Sequence, residues 1–276
     1  MNSDLIRARL ESARGLPPFH LYHEREVDST NTRMMEAMGQ GGPLDRPWAV
    51  LVADGQLAGK GSHGRSWECP AGEGLLFSLR LDLSIEEHAL SLVGHWAALA
   101  LCQALELSCV GHPSVRVWWK WPNDILLEDG STSGKVAGIL IQSQVQGDKA
   151  RVVLGMGVNL GQVRFPLGLR QPARSLRQAG VHEEREALLT GILLHLGRLG
   201  LPEKGKGPPA DLLKRDILAS RPACLQDGQA CLTLVHRHDP DGPLHLRTQH
   251  GTRMLTGGGL RIDRVTREDL WCSLEH

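Results

Sequence analysis

The sequence has no surplus of either charge: 31 Lys and Arg stand against 31 Asp and Glu over 276 residues. Proteins that grip nucleic acid or anionic membrane over a broad face carry a basic excess, because phosphate neutralisation supplies much of their affinity. That class is disfavoured. The sequence also lacks any Cys-x-x-Cys pair. Cys69, Cys102, Cys109, Cys224, Cys231 and Cys272 are scattered, and no nearby histidines complete a zinc pattern. Reduced thiols in the cytoplasm are the simplest reading. The opening Met1-Asn2-Ser3-Asp4-Leu5-Ile6-Arg7 lacks the apolar core of a secretory signal. Long hydrophobic runs are scarce too. The one candidate, 89–105, is free of charge but holds Ser91, Gly94, His95 and Gln103. A membrane span needs ~20 apolar residues, so this run reads as a buried core helix.

What is present is ordinary globular composition, 41% hydrophobic and 22% charged, enough for one large core and a small appendage. The first dozen residues read as a helix stopped by Pro17-Pro18, which cannot continue its hydrogen bonding. A strand is predicted at 20–27, and Asp28-Ser29-Thr30 offers N-cap oxygens for a short helix through Met38. Further strands are predicted at 48–53 and 75–83, with a glycine-punctuated loop at 55–67 between them, and a long helix at 84–107. Strands at 115–119, 125–127, 136–145 and 151–160 follow, the last two joined by the hairpin turn Gln146-Gly147-Asp148. Strands in runs with few helices between them predict an α+β fold with an antiparallel sheet. Helices are expected at 183–199 and 210–218. From 219 onward, short apolar patches alternate with Gly, Pro and Asp clusters, which suits a small β-barrel. The expected domains are therefore 1–218 and 219–276.

Four segments carry candidate chemistry. In Gly59-Lys60-Gly61-Ser62-His63-Gly64-Arg65-Ser66-Trp67 the glycines let backbone N–H groups approach an anion, and Lys60 and Arg65 bring charge. A mobile surface loop with solvated cations is the plainer alternative. Lys120-Trp121-Pro122-Asn123-Asp124 gathers an amine, an amide and a carboxylate at a strand end, suited to a phosphoanhydride, or simply a rigid polar turn. Lys135 opens the apolar strand of Gly134-Lys135-Val136-Ala137-Gly138-Ile139-Leu140-Ile141; such a lysine either meets an anion or snorkels to water. In Gly155-Met156-Gly157-Val158-Asn159, small residues admit a planar ligand or mark a bulge.

The order and spacing of these motifs, preceded by Ser29-Thr30-Asn31, resemble the biotin–protein ligases over residues 21–160. Beyond that the likeness continues more loosely through Arg221-Pro222 and Gly257-Gly258-Gly259-Leu260-Arg261-Ile262. The resemblance implies a catalytic domain similar to class II aminoacyl-tRNA synthetases with an SH3-like C-terminal barrel. It implies joining of biotin's carboxylate to the α-phosphate of ATP, and transfer of biotin from biotinyl-5′-AMP to a lysine of a biotin carboxyl carrier protein. Mg²⁺ is expected with the ATP phosphates, its protein ligands undefined. Lys135 would lie between the two reacting anions, Lys60 and Arg65 would close over the intermediate, and Lys120 and Asp124 would position the nucleotide. Ser29, Thr30, Asn31 and Gln56 would read the ureido ring beside Gly59 and Gly138, with Trp67 as a cover. Ser62, His63, Asn123 and Asn159 complete the expected ATP contacts, Asn159 at the adenine. No nucleic-acid or membrane partner is expected, and the chain would act as a monomer or homodimer.

Two departures from the family pattern stand out. The family loop often carries arginines where this chain has Lys60 and Ser62, so looser retention of the adenylate is expected: neither residue forms a bidentate clamp. The chain ahead of His20 is also short of the ~50 residues of a DNA-binding domain, so a ligase without repressor activity is expected. A lipoate–protein ligase or a non-catalytic biotin-binding regulator are the alternatives. Arg164, Arg170, Arg174 and Arg177 read as a solvated loop.

Overall fold

The computed structural model describes residues 1–169 and 171–220, and beyond them the backbone of five strands. Seven strands build the main sheet: β1 (His20–Val27), β2 (Ala49–Gln56), β3 (Gly74–Ser84), β4 (Val115–Lys120), β5 (Asp124–Asp129), β6 (Thr132–Gln146) and β7 (Lys149–Asn159). Their spatial order is β1-β2-β3-β7-β6-β5-β4. Pairing is antiparallel from β2 onward, but β1 and β2 run parallel. The expected antiparallel sheet is thus found from β2 onward, with one parallel pair added at its edge. A parallel pair needs a crossover, and α2 (Thr30–Ala37), which starts three residues after β1, supplies it.

Alternation along the strands gives the sheet two unlike faces. Leu75, Phe77, Leu79, Leu81 and Leu83 of β3 join Val152, Leu154, Met156 and Val158 of β7 in the large core. That face is covered by α3 (Val93–Ser108), which packs on β4, β5 and β6, and by α4 (Arg185–Leu199) and α1 (Ser3–Ser12), which stack beside it. On the other face the same strands present Ser78, Gly155 and Gly157. There α2 covers only part of the sheet, through Met34 and Met38 on Ala49, Leu51 and Val153. The uncovered remainder is where a ligand has room.

The segment Leu90–Ser108 is long and apolar enough to cross a membrane by length and composition, but 67% of that stretch is buried inside the fold, as the sequence suggested. Its helix starts later than predicted. β3 continues to Ser84, and the Ile85 N–H donates to Asp148 O at 2.8 Å, so strand pairing claims the first residues of the expected helix. The predicted helix 210–218 is two short ones, α5 (Ala210–Leu213) and α6 (Ile217–Ser220). Between them the buried Asp216 accepts from Leu218 N at 2.9 Å and starts a new helix. The Trp119 N–H donates to Arg215 O at 2.8 Å, closing the free edge of β4.

After α6, β8 (Ala223–Leu225) pairs antiparallel with β12 (Leu260–Ile262). A second antiparallel set is β9 (Leu234–His238), β10 (Leu244–Thr248) and β11 (Gly251–Leu255). Arg221-Pro222, Gly257-Gly258-Gly259 and the joining segments lie outside the described residues.

Candidate active site

The uncovered sheet face carries a cleft lined by Ser29, Thr30, Asn31, Gln56, Lys60, Ser62, Trp67, Asn123, Lys135 and Gly138, with Gly155 and Gly157 as floor. One end is a closed polar network. Asn31, on the first turn of α2 and 3% exposed, has its amide Nδ2 donating to Gln142 Oε1 at 3.1 Å. The Ser78 hydroxyl lies 2.6 Å from Asn31 Oδ1 and 2.8 Å from Thr30 Oγ1, so its single proton serves one of them at a time. Gln56 Oε1 accepts from Thr30 N at 2.8 Å and Thr30 Oγ1 at 3.1 Å. The predicted N-cap thus works differently from expectation. Ser29 occupies the cap position, but its side chain makes no capping hydrogen bond. The amide oxygen of Gln56, from the end of β2, serves the helix N-terminus instead, leaving the Ser29 hydroxyl for the cleft.

The opposite end is cationic. Lys135 Nζ lies 2.6 Å from Asp124 Oδ1, and Lys120 Nζ lies 3.9 Å from Asp124 Oδ2. Lys120 also donates to Gln171 Oε1 at 2.8 Å. Burial pushes the Lys120 pKa below the ordinary lysine value; Asp124 opposes this, while the charges of Lys135 and Arg65 add to it. Two ammonium groups therefore share one carboxylate: Lys135 lines the cleft, while Asp124 and Lys120 lie outside its lining, an arrangement ready to receive further negative charge. Lys135 reaches the cleft through a β-bulge. Ile125 pairs with Ala137 and Leu126 with Lys135, so Val136 is the extra residue. Val136 and Ala137 both enter the core, and the alternation restarts with Lys135 on the same side as Gly138. A regular strand would place residues 135 and 138 on opposite faces.

Between the two ends lies the glycine loop. The Gly61 N–H donates to Arg65 O at 2.7 Å and the Trp67 N–H to Gly59 O at 2.8 Å, which folds the loop into a narrow hairpin. Its turn needs His63 and Gly64 in the left-handed region, with φ of 58° and 71°. Arg65 curls back onto Ser62, donating from Nε to the carbonyl at 2.9 Å and from Nη2 to Oγ at 2.7 Å. The hairpin delivers the Trp67 indole onto the floor: a Cβ on Gly157 would meet its Cε2 at 2.6 Å, and one on Gly138 its Cζ3 at 3.0 Å. Lys135 Nζ lies 5.4 Å from the Trp67 ring centroid.

Most of the predicted residues thus converge on one cleft, and some do not. Gly59 is buried under the Trp67 carbonyl, and His63 and Arg65 are exposed, Arg65 with its guanidinium on Ser62. Asn159 faces inward: its amide donates to Lys135 O at 3.1 Å and Arg174 O at 3.2 Å, and its oxygen accepts from Gln162 at 3.0 Å. Both amide hydrogens are committed to the protein, so the side chain ties chain segments together and has no donor left for a base. The arginine-bearing loop is not uniformly solvated either. Arg164 and Arg177 are exposed, Arg170 lies outside the described residues, and Arg174 is only 6% exposed. Ser78, Gln142 and Gln171 were missed by sequence reading. Ser78 had a signal, as a hydroxyl inside the leucine-rich β3, but the two glutamines act through contacts 51 and 111 residues away. Among the described residues no group of three His, Cys, Asp or Glu side chains is placed to hold a metal, and Cys69, Cys102 and Cys109 are free thiols.

Comparison with known proteins bears on what such a cleft serves. The chain is 32% identical over 243 residues to the bifunctional ligase/repressor BirA of Salmonella typhimurium, spanning 86% of this chain and 72% of that protein. It is 42% identical over 138 residues to a biotin–[acetyl-CoA-carboxylase] ligase of Paracoccus denitrificans, 49% of this chain and 52% of that one. Several curated relatives are matched over only about half their length, 50% for the Escherichia coli BirA. The fold is that of the Aquifex aeolicus biotin protein ligase solved with biotin and ATP: TM-score 0.67, 22% identity, covering 89% of this chain and 99% of that one. The model of the biotin/lipoate A/B protein ligase family matches residues 24–159, from within β1 to the end of β7. The cleft and its motifs lie within that span or immediately beside it, and the chain belongs to this family.

Proposed function

We propose that the protein is an ATP-dependent biotin ligase. The observation that carries this reading is the division of one cleft into a buried neutral hydrogen-bonding end and a cationic end at Lys135, which Asp124 ties to Lys120, joined by a glycine floor. Biotin has matching halves. Its uncharged ureido ring suits Ser29, Thr30, Asn31 and Gln56, and its carboxylate would extend along Gly138 toward Lys135. A site whose polar atoms are buried rejects ligands that leave those atoms unpaired.

In the first step a biotin carboxylate oxygen attacks the α-phosphorus of ATP, and the bond to the bridging oxygen breaks, releasing pyrophosphate and biotinyl-5′-AMP. The obstacle is repulsion between two anions. Lys135 and Lys120 offset it, with Asp124 holding both ammonium groups in place before substrate arrives. In the second step a neutral carrier lysine amine attacks the acyl carbon, the bond to the phosphate oxygen breaks, AMP leaves with the bonding electrons, and the amide nitrogen gives up its proton to solvent. No protein nucleophile is required; position and charge carry the reaction. Lys60, Ser62 and Asn123 line the nucleotide side, with His63 and Arg65 arriving on the loop. Trp67 and the hairpin exclude water from a mixed anhydride that hydrolyses readily. Mg²⁺ enters as part of the ATP substrate, since Asp124 is already engaged by lysines. In this reading residues 1–218 are catalytic, 219–276 form an SH3-like barrel, and the acceptor is a cytoplasmic biotin carboxyl carrier domain such as that of acetyl-CoA carboxylase.

Biotin-dependent exchange of pyrophosphate into ATP tests the proposal. Exchange with biotin and not lipoate is expected, with a loss of about a thousandfold in Lys135→Ala. Exchange with lipoate alone would replace the proposal with the lipoate reading. Tight biotin binding without exchange would make the protein a regulator.

A further inference from the structure

Lys135 keeps its pairing with Leu126 of β5, and on its other side, where pairing of β6 with β7 begins only at Ala137, another segment meets its main-chain groups. The Lys135 N–H donates to Pro172 O at 2.7 Å, and the Arg174 N–H donates to Lys135 O at 2.9 Å. The same carbonyl accepts from Asn159 Nδ2 at 3.1 Å. One residue before this contact, Gln171 Oε1 receives the Lys120 ammonium at 2.8 Å. A single run of four residues therefore touches both lysines, one by its backbone and one by its side chain. Gly134 lets the run lie this close, since a Cβ there would meet Ala173 C and Arg174 Cβ at 2.9 Å.

The run has its own anchor. Arg174 donates from Nη2 to Asp129 Oδ2 at 3.2 Å and to Gln178 O at 3.3 Å. Its Nε and Nη1 are buried with no hydrogen-bond partner among the described residues. Buried unpaired donors cost stability, and a buried ion pair of this kind is a poor stabiliser compared with an apolar side chain of similar volume. Stability alone does not account for an arginine here; geometry does. Asp129 lies at the far end of β5, so the pair fixes the run along the β5–β6 hairpin and sets where residues 171 and 172 meet the lysines.

We infer that Gln171–Arg174, anchored by the Arg174–Asp129 pair, is a positioning strap that sets the placement of Lys135 and Lys120. The inference rests on the ligase reading and adds residues that act through the lysines without touching substrate. The test measures biotin-dependent ATP–pyrophosphate exchange in wild type, Arg174→Met, Asp129→Asn and Gln171→Ala, with melting temperature alongside. In Arg174→Met the strap predicts kcat lower by about tenfold or more, KM for biotin within about twofold, and an unshifted melting temperature. A merely structural role would instead lower the melting temperature and leave kcat per folded molecule unchanged. Asp129→Asn is expected to reproduce the kcat loss, and combining it with Arg174→Met should add little, because both remove one anchor. If Arg174→Met does not fold, Asp129→Asn tests the strap through kcat per folded molecule, with a lower melting temperature expected because the buried Arg174 loses its charge partner. Gln171→Ala should lower kcat while leaving biotin affinity intact. Wild-type kcat in folded Arg174→Met or Asp129→Asn overturns the strap and leaves the ligase reading standing. Absence of exchange in the wild type overturns both.

Discussion

At the scale of single residues, the floor glycines differ in what they accommodate. A Cβ on Gly155 would lie 2.0 Å from Asn31 Oδ1, inside a buried network with no slack. Gly155→Ala is expected to displace Asn31 and cost about 2 kcal/mol or more, seen as a lower urea midpoint together with weaker biotin binding. The atoms nearest to a Cβ on Gly157 belong to the Trp67 indole, which rides on a surface hairpin. Gly157→Ala should keep wild-type stability while losing about tenfold in biotin affinity by calorimetry, because the cover can no longer seat. Ser62 accepts from Arg65, so Ser62→Arg removes a contact inside the hairpin while restoring a second guanidinium. Slower release of biotinyl-5′-AMP in the absence of carrier is the expected result; equal release rates would show that backbone N–H groups do the holding. These residues were legible in sequence as a set, because glycines and lone cations in apolar surroundings are conspicuous. Their contacts were not: Asn31 meets Ser78 and Gln142 only after three strands align.

At the scale of elements, the start of α2 decides the shape of the ring-binding end. Its cap comes from Gln56, which lies 26 residues away on β2. Gln56→Ala would leave the Thr30 N–H and hydroxyl without that acceptor, with an expected loss of about 1–2 kcal/mol by chemical denaturation. Gln56→Glu keeps the acceptor and should recover much of the stability while still impairing ligand binding. A local reading placed the cap on Asp28, Ser29 or Thr30, because a side chain that reaches its own helix needs no tertiary partner. The same limit explains the displaced start of the α3 segment: whether Ile85 extends a strand depends on Asp148 O, which sequence periodicity cannot see. Strand positions fared better, since the alternation of leucines along β3 reflects a buried face whatever its neighbours are.

At the scale of the whole molecule, Asp54 joins elements far apart in the chain. Its Oδ1 lies 2.7 Å from Arg185 Nη1 at the start of α4 and 3.0 Å from His23 Nε2 on β1. Burial alone would raise the Asp54 pKa, but hydrogen bonds and charge from His23 and Arg185 outweigh it and hold the pKa below the ordinary value. A depressed carboxylate pKa contributes stability that is complete above the unfolded-state value and fades as pH falls through the folded-state value. The stability gap between wild type and Asp54→Asn should therefore be constant above the usual carboxylate range and shrink below it. Urea denaturation across an acid series checks this; a gap independent of pH would show that the carboxylate's charge is immaterial.

By itself the sequence determined the kinds of element, the apolar faces, the α+β class and the four motifs that carry chemistry. All of these are written in local order, through side-chain period and backbone preference. Tertiary structure alone decided the parallel β1–β2 pair, the cap supplied by Gln56, the inward turn of Asn159 and the burial of Arg174. Above all it decided which way Lys135 points. That depends on one extra residue in the pairing of β6 with β5, and register belongs to two strands at once, so it cannot be read from either alone.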